Sequence, residues 1–158
     1  MSNRALLSAD VFFMNQALEE AHKAFNLNEI PIGAVVIDEK ERIIGLGYNR
    51  VETDHQQIAH AEVQAISQAC QTRNDWRLSD CWIYVTLEPC AMCMNLILLS
   101  RINRLIYGAR SPIFGCHLDS EGIIQVYRRN LLEIVGGVCA QEAMTLLQDF
   151  FKAKRKNP

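Results

Sequence analysis

Cys81-Trp82-Ile83-Tyr84-Val85-Thr86-Leu87-Glu88-Pro89-Cys90-Ala91-Met92-Cys93-Met94-Asn95-Leu96-Ile97-Leu98-Leu99 is the stretch that decides the fold. Cys81 to Thr86 is rich in β-branched and aromatic residues and predicts a strand. Pro89 breaks it, and Cys90 opens a helix running to about Leu99. Arg104-Leu105-Ile106-Tyr107 then predicts a second strand. Strand, helix and strand in this order are the unit of an α/β architecture.

The same reading extends in both directions. Upstream, Gly33-Ala34-Val35-Val36-Ile37 predicts a buried strand. The charged turn Asp38-Glu39-Lys40-Glu41 joins it to another strand, Arg42 to Tyr48, as a hairpin. A hairpin beside a strand–helix–strand unit makes the sheet mixed. Val11, Met14, Leu18, Ala21 and Phe25 recur at helical spacing over Ser8 to Asn26. A polar loop from Asn49 to Gln57 leads to a helix from about Ala59 to Thr72. Downstream, Ser111 to Gly122 reads as irregular, punctuated by Pro112, Gly115 and Gly122. Leu131 to Val135 predicts a fifth strand, ended by Gly136-Gly137. An amphipathic helix from about Ala140 to Lys154 carries Ala143, Leu146, Leu147 and Phe150 on one face.

The 158 residues form one domain, 1–158, by this reading, large enough to build a core without disulfide staples. A composition of 49% hydrophobic and 22% charged residues is that of an ordinary globular protein. The formal net charge of −2 argues against a protein that coats nucleic acid generally. It leaves room for a local basic patch, and Lys152, Lys154, Arg155 and Lys156 supply one. The N-terminus runs straight into a helical pattern with no signal peptide, so a cytosolic protein is expected. The apolar run around Ala91 to Leu99 is too short to span a bilayer, which takes about 20 helical residues. The six cysteines should then be mostly reduced, with no disulfide framework.

The chemistry lies in His60-Ala61-Glu62 and Pro89-Cys90-Ala91-Met92-Cys93. His60, Cys90 and Cys93 are three good zinc ligands, and a fourth position stays open for water. Cys90 and Cys93, at i and i+3 in the first helical turn, direct both sulfurs to one point. The positive end of the helix favours their thiolate forms there. Glu62, two residues beyond His60, points away from the ligand direction and is free to move protons. Zinc lowers the pKa of a bound water to about 7 and so supplies a nucleophile at neutral pH. Glu62 would pass a proton from that water to a ring nitrogen, then protonate departing ammonia.

Other readings of the same residues stand beside this one. A C-x-x-C at a strand-to-helix junction also suits a redox dithiol. A structural zinc site needs a fourth ligand, for which Cys116 or His117 is available. Cys70 and Cys81 read as small buried hydrophobes. His55 lies in the loop before His60, where substrate contact is open to it.

These residues resemble the cytidine deaminase superfamily, and within it the bacterial deaminases that act on tRNA adenosine. The resemblance covers nearly the whole chain. It is carried by Pro31-Ile32-Gly33-Ala34-Val35-Val36, Gly47-Tyr48-Asn49-Arg50, Ala59-His60-Ala61-Glu62, Thr86-Leu87-Glu88-Pro89-Cys90-Ala91-Met92-Cys93, Tyr107-Gly108-Ala109-Arg110 and Leu147-Gln148-Asp149-Phe150-Phe151-Lys152. The zinc motifs mark the superfamily, which includes guanine and cytosine deaminases. The tRNA branch is marked by Ser100-Arg101-Ile102, Tyr107 to Arg110 and the Phe-Phe ending with its basic tail. The resemblance implies a three-layer α/β/α fold around a mixed five-stranded sheet. It implies a homodimer with one zinc ion per subunit and no membrane. It implies a tRNA anticodon stem-loop as partner, with wobble adenosine, of an arginine tRNA, converted to inosine. Asn49 matches the position that hydrogen-bonds the base, and an amide both donates and accepts. The Ala61 backbone amide would face the base too, and Phe150 and Phe151 would lie near the RNA. Helical spacing puts at least one of those two rings in the core. Two positions depart from the branch: Ser111-Pro112-Ile113-Phe114 replaces an acidic residue followed by a Lys, and Ile58 replaces a Thr. Losing that Lys would remove an ion pair with a phosphate and flatten the salt dependence of binding. A small-molecule deaminase acting on guanine, cytosine or a nucleoside is the competing reading.

Overall fold

In a computed structural model, the chain forms a five-stranded sheet covered by helices on both faces. Residues 3–116 and 133–156 are described, with side chains from residue 8 onward. The elements run α1 (Asn3–Asn26), β1 (Gly33–Ile37), β2 (Ile43–Tyr48), α2 (Val51–Asp54), α3 (Ala61–Arg73), β3 (Trp82–Leu87), α4 (Ala91–Leu99), β4 (Arg104–Ala109), β5 (Glu133–Gly136) and α5 (Ala140–Lys156). The strand order is β2-β1-β3-β4-β5. β1 is antiparallel to β2 and to β3, while β3, β4 and β5 are parallel. The sheet is therefore mixed, as the hairpin requires, and the layers are those of an α/β/α fold.

Alternation along the strands explains the layers. Ala34 and Val36 of β1 join Ile83, Val85 and Leu105 on one face, against α3 and α4. Val35 and Ile37 join Tyr84 and Ile106 on the other, against Phe13, Met14 and Ala17 of α1. A strand buried on both faces reads as an unbroken apolar run, and Gly33–Ile37 is one. On the α1 side, α5 adds Ala143 to a small cluster with Leu18 and Ala109.

Two glycines set how closely the helices approach. A Cβ on Gly33 would lie 1.9 Å from the Ala17 carbonyl oxygen of α1. A Cβ on Gly47 would lie 2.2 Å from the Ala61 carbonyl oxygen of α3. Both approaches are of helix backbone to strand backbone, which only glycine permits.

A buried polar network ties α1 to β3 and β4. Arg104 donates to both carboxylate oxygens of Asp10, at 2.7 and 3.0 Å, and its Nε donates to Glu133. Tyr84 donates to Asp10 at 2.9 Å, and the Arg104 guanidinium lies over the Trp82 ring. Removing one partner of such a pair costs about 3–5 kcal/mol, because the other charge stays buried alone.

The predicted elements are present, with some bounds shifted and one short helix added. α1 extends back to Asn3, five residues earlier than its apolar periodicity begins. α3 starts at Ala61, so Ala59 and His60 precede it rather than belong to it. The polar loop contains α2, a single turn too short for periodicity to register. The fifth strand begins at Glu133; Leu131, where its apolar pattern starts, lies outside the described residues, as do His117 and Gly122. No described helix is long and apolar enough to cross a membrane.

Candidate active site

Two helix starts build the site. His60 is the N-cap of α3 and Cys90 the N-cap of α4, both with extended backbone. Neither side chain caps its own helix, so both can turn to another partner. Cys93 is the third residue of α4, and N-cap and third-residue side chains converge on the same spot in a helix start. The C-x-x-C spacing therefore works from the cap, rather than from within the helical turn that the spacing alone predicts.

His60, Cys90 and Cys93 bring Nδ1 and two sulfurs within 4.8 Å of one another. The Nδ1 atom is 3.7 Å from Cys90 Sγ and 3.4 Å from Cys93 Sγ. A tetrahedral zinc with bonds of about 2.3 Å to sulfur and 2.0–2.1 Å to nitrogen spaces such atoms about 3.5–3.8 Å apart. The residues fit zinc in donor type and spacing. Three protein ligands leave one position open, the pattern of a catalytic site.

The electrostatics favour a thiolate at Cys90. Hydrogen bonds from Cys93 and His60 outweigh burial and lower the Cys90 thiol to about 4. The Cys93 thiol is pushed up, by its hydrogen bond to Cys90 and by burial. The hydrogen bond to Cys90 raises His60 despite partial burial. Glu62 is buried beside this group, and burial pushes its carboxyl up from the ordinary value. Its carboxylate pairs with Cys93 and is not one of the three grouped donors.

The strand-following segment 111–116 closes one side. The Ser111 N–H donates to Glu88 Oε2 at 3.0 Å, and the Cys116 N–H to the Pro89 carbonyl at 2.8 Å. Gly115 pairs with Cys90 in an isolated antiparallel bridge. The departure Ser111-Pro112-Ile113-Phe114 thus lies beside Cys90, with Ile113 and Phe114 turned to solvent. Cys116 is half-buried against the core and outside the donor group, so it does not complete a structural zinc site. His117 lies outside the described residues.

Asn49 is buried, and the chain around it is pinned near His60. Its N–H donates to the Ile32 carbonyl at 3.0 Å, and the next N–H, of Arg50, donates to the Ala59 carbonyl at 2.9 Å. Ala61 is fully buried in the first turn of α3. Phe150 is 5% exposed and packs on Phe25 of α1, whereas Phe151 is 44% exposed. His55 is exposed at the left-handed end of α2.

One residue near this group is silent in the sequence. Glu29 precedes β1, is 1% exposed, and accepts from the Asn49 side chain and from two backbone N–H groups of α2. It belongs to no motif. A charged residue directly before the Ile30-Pro31-Ile32 entry to a buried strand is its one sequence signal.

A mixed sheet with a His/Cys/Cys group at two helix starts and a buried glutamate outside that group defines a zinc-dependent deaminase fold. The chain belongs to the cytidine and deoxycytidylate deaminase family, whose zinc-binding region matches residues 7–109. It is 40% identical to the tRNA-specific adenosine deaminase of Bacillus subtilis (strain 168) over 151 residues, 95% of this chain and 93% of that one. It is 40% identical to the tRNA-specific adenosine deaminase of Rickettsia bellii (strain RML369-C) over 147 residues, 90% of this chain and 99% of that one. A solved structure from work on A-to-I editing by tRNA deaminases at the wobble position matches with a TM-score of 0.76 and 35% identity, over 86% of this chain and 99% of that one. Guanine deaminase from Nitrosomonas europaea matches with a TM-score of 0.77 and 25% identity, over 87% and 82%.

Proposed function

We propose that this protein is a zinc-dependent hydrolytic deaminase that converts adenosine to inosine at the wobble position of a tRNA anticodon. The carrying observation is the joined set of His60, Cys90 and Cys93 with Glu62 held beside but outside it. The choice of tRNA adenosine as substrate is supported by the tRNA-specific relatives at 40% identity across nearly the whole chain.

His60, Cys90 and Cys93 hold the ion, one per subunit. Zinc bound there supplies Lewis-acid activation of water for attack on the amine-bearing carbon. Glu62 would carry two protons in turn: one from the attacking water to a purine ring nitrogen, and a second from the hydroxyl so added to carbon to the departing amine. Water and adenosine give inosine and ammonia. Asn49 and the Ala61 backbone amide orient the base. The partner is the anticodon stem-loop of an arginine tRNA, whose target base is already unpaired and so flips at low cost. Phe151 and the basic tail meet the RNA, and Phe150 supports them from the core. The working form is a cytoplasmic homodimer of one domain per chain.

The test is to incubate the purified protein with an arginine tRNA bearing adenosine at the wobble position. Inosine should form, chelation should abolish it, and added zinc should restore it. Absence of inosine at full zinc occupancy would sink the reading. The guanine deaminase likeness raises a second one, a free-base substrate. Ammonia release from guanine, indifferent to loss of Lys152 to Lys156, would establish that instead.

A further inference from the structure

Glu29 carries a carboxylate almost wholly removed from water, and three N–H donors meet it. Oε2 accepts from Asn49 Nδ2 at 3.3 Å and from the Glu52 N–H at 3.2 Å. Oε1 accepts from the Thr53 N–H at 2.5 Å. Two of these donors are backbone groups of α2; the third is the side chain that orients the base in the proposed function.

We propose that Glu29 is the positioning residue that fixes which end of the Asn49 amide faces the substrate. The proposal rests on the reading of Asn49 as a base contact. An ionised carboxylate only accepts hydrogen bonds, whereas an amide has one accepting and one donating end. Facing Glu29, the Asn49 amide can present only its NH₂. Its carbonyl oxygen and second N–H are thereby directed to the other side, as one acceptor and one donor of fixed order. Rotating the amide by 180° would set oxygen against oxygen in a buried site, where an unsatisfied polar group is costly.

The surroundings leave Asn49 little other freedom. Its own N–H is held by Ile32 and the following N–H by Ala59, one residue before the ligand His60. Glu29 holds α2 by the Glu52 and Thr53 amides, so the turn beyond Asn49 is fixed by the same carboxylate. Arg50 adds bonds to Asp54 and to the Tyr48 hydroxyl. A purine edge also has donors and acceptors in fixed order, so a fixed amide discriminates and a flipping one does not.

Glu29→Gln tests this. A glutamine at 29 places a donor among donors and lets the Asn49 amide turn. The expected loss of kcat for wobble adenosine is about ten- to hundredfold. KM for the tRNA stem-loop should move less than about twofold, because interactions with phosphates carry most of its binding. Zinc content should match wild type. The deciding measurement is a cycle with Asn49→Ala. If Glu29 acts through Asn49, adding E29Q to N49A changes kcat less than about threefold. Multiplicative losses, a loss mainly in KM, or an unimpaired E29Q would overturn the proposal. Full activity of N49A would remove the base-contact reading itself, and this proposal with it, while inosine formation by the wild type still stood. If E29Q does not yield folded protein, Glu29→Asp enters the same cycle. It keeps the accepting charge and shortens its reach, so a smaller loss with the same non-additivity is expected.

Discussion

At the residue scale, the place of Glu62 beside but outside the His60, Cys90 and Cys93 group is the central feature. Glu62→Gln removes a proton carrier and keeps the side-chain volume. Deamination should fall about 10²- to 10⁴-fold, the range for a lost general acid–base group. Zinc content by atomic absorption and the far-ultraviolet circular dichroism spectrum should be unchanged. Loss of zinc in this variant would mean that the carboxylate ligates, contrary to its place outside the donor group. The grouping of His60, Cys90 and Cys93 is legible in the sequence because zinc chemistry restricts residue type and spacing together. Glu29 is not, because its partners are an amide 20 residues away and two backbone groups 23 and 24 residues away. Interactions of that kind leave no local pattern. Phe150 and Phe151 are separable by periodicity, which sets Phe150 with Ala143, Leu146 and Leu147 on one face of α5, and the structure buries Phe150 and leaves Phe151 exposed.

At the element scale, the seat of α3 on β2 sets where His60 and Glu62 lie. Gly47→Ala would drive a methyl group into the Ala61 carbonyl and the Ala65 amide. The cost should be about 3 kcal/mol or more, since backbone rather than a flexible side chain must yield. For a chain of this length that is a fall in Tm of about 6–12 °C, measurable by calorimetry, with zinc occupancy reduced as the helix start moves. The β1–β2 turn gives a pH prediction. Burial disfavours charge on Asp38, yet bonds from the Arg42 side chain and from the Arg42 and Lys40 N–H groups outweigh it and hold its carboxyl below the ordinary value. The folded pKa is thus below the unfolded one. This contribution is present above the unfolded pKa, about 3.9, and is lost as pH falls through the folded value. Asp38→Asn should therefore be less stable than wild type at pH 7, with the gap closing as pH falls below the unfolded value of about 3.9 in urea titrations. Strands and long helices are readable because burial on one or two faces imposes period. α2 is not, since a four-residue turn held by a distant carboxylate has no period to read.

At the scale of the whole molecule, a net charge of −2 sits with a cationic helix end. Lys152, Lys154, Arg155 and Lys156 close α5, next to exposed Phe151. Under the proposed function, replacing these four by alanine should weaken anticodon stem-loop binding and lower the slope of log K against log salt by about 0.7–0.9 for each phosphate no longer neutralised. Turnover of bound RNA should change little. An unaltered slope would place the RNA elsewhere on the surface. The α/β class and the mixed sheet are legible from element order, and the three layers only through the family resemblance, whereas the parallel placement of β5 is not legible, because order along the chain does not set position in a sheet. The Arg104–Asp10 pair, finally, joins residues 94 apart. At translation rates of about 5–20 residues per second, the first helix waits roughly 5–20 s for that guanidinium to be made. His60, Cys90 and Cys93 have all been synthesised by then. On the ribosome, the metal ligands are therefore complete before the clasp on the first helix exists.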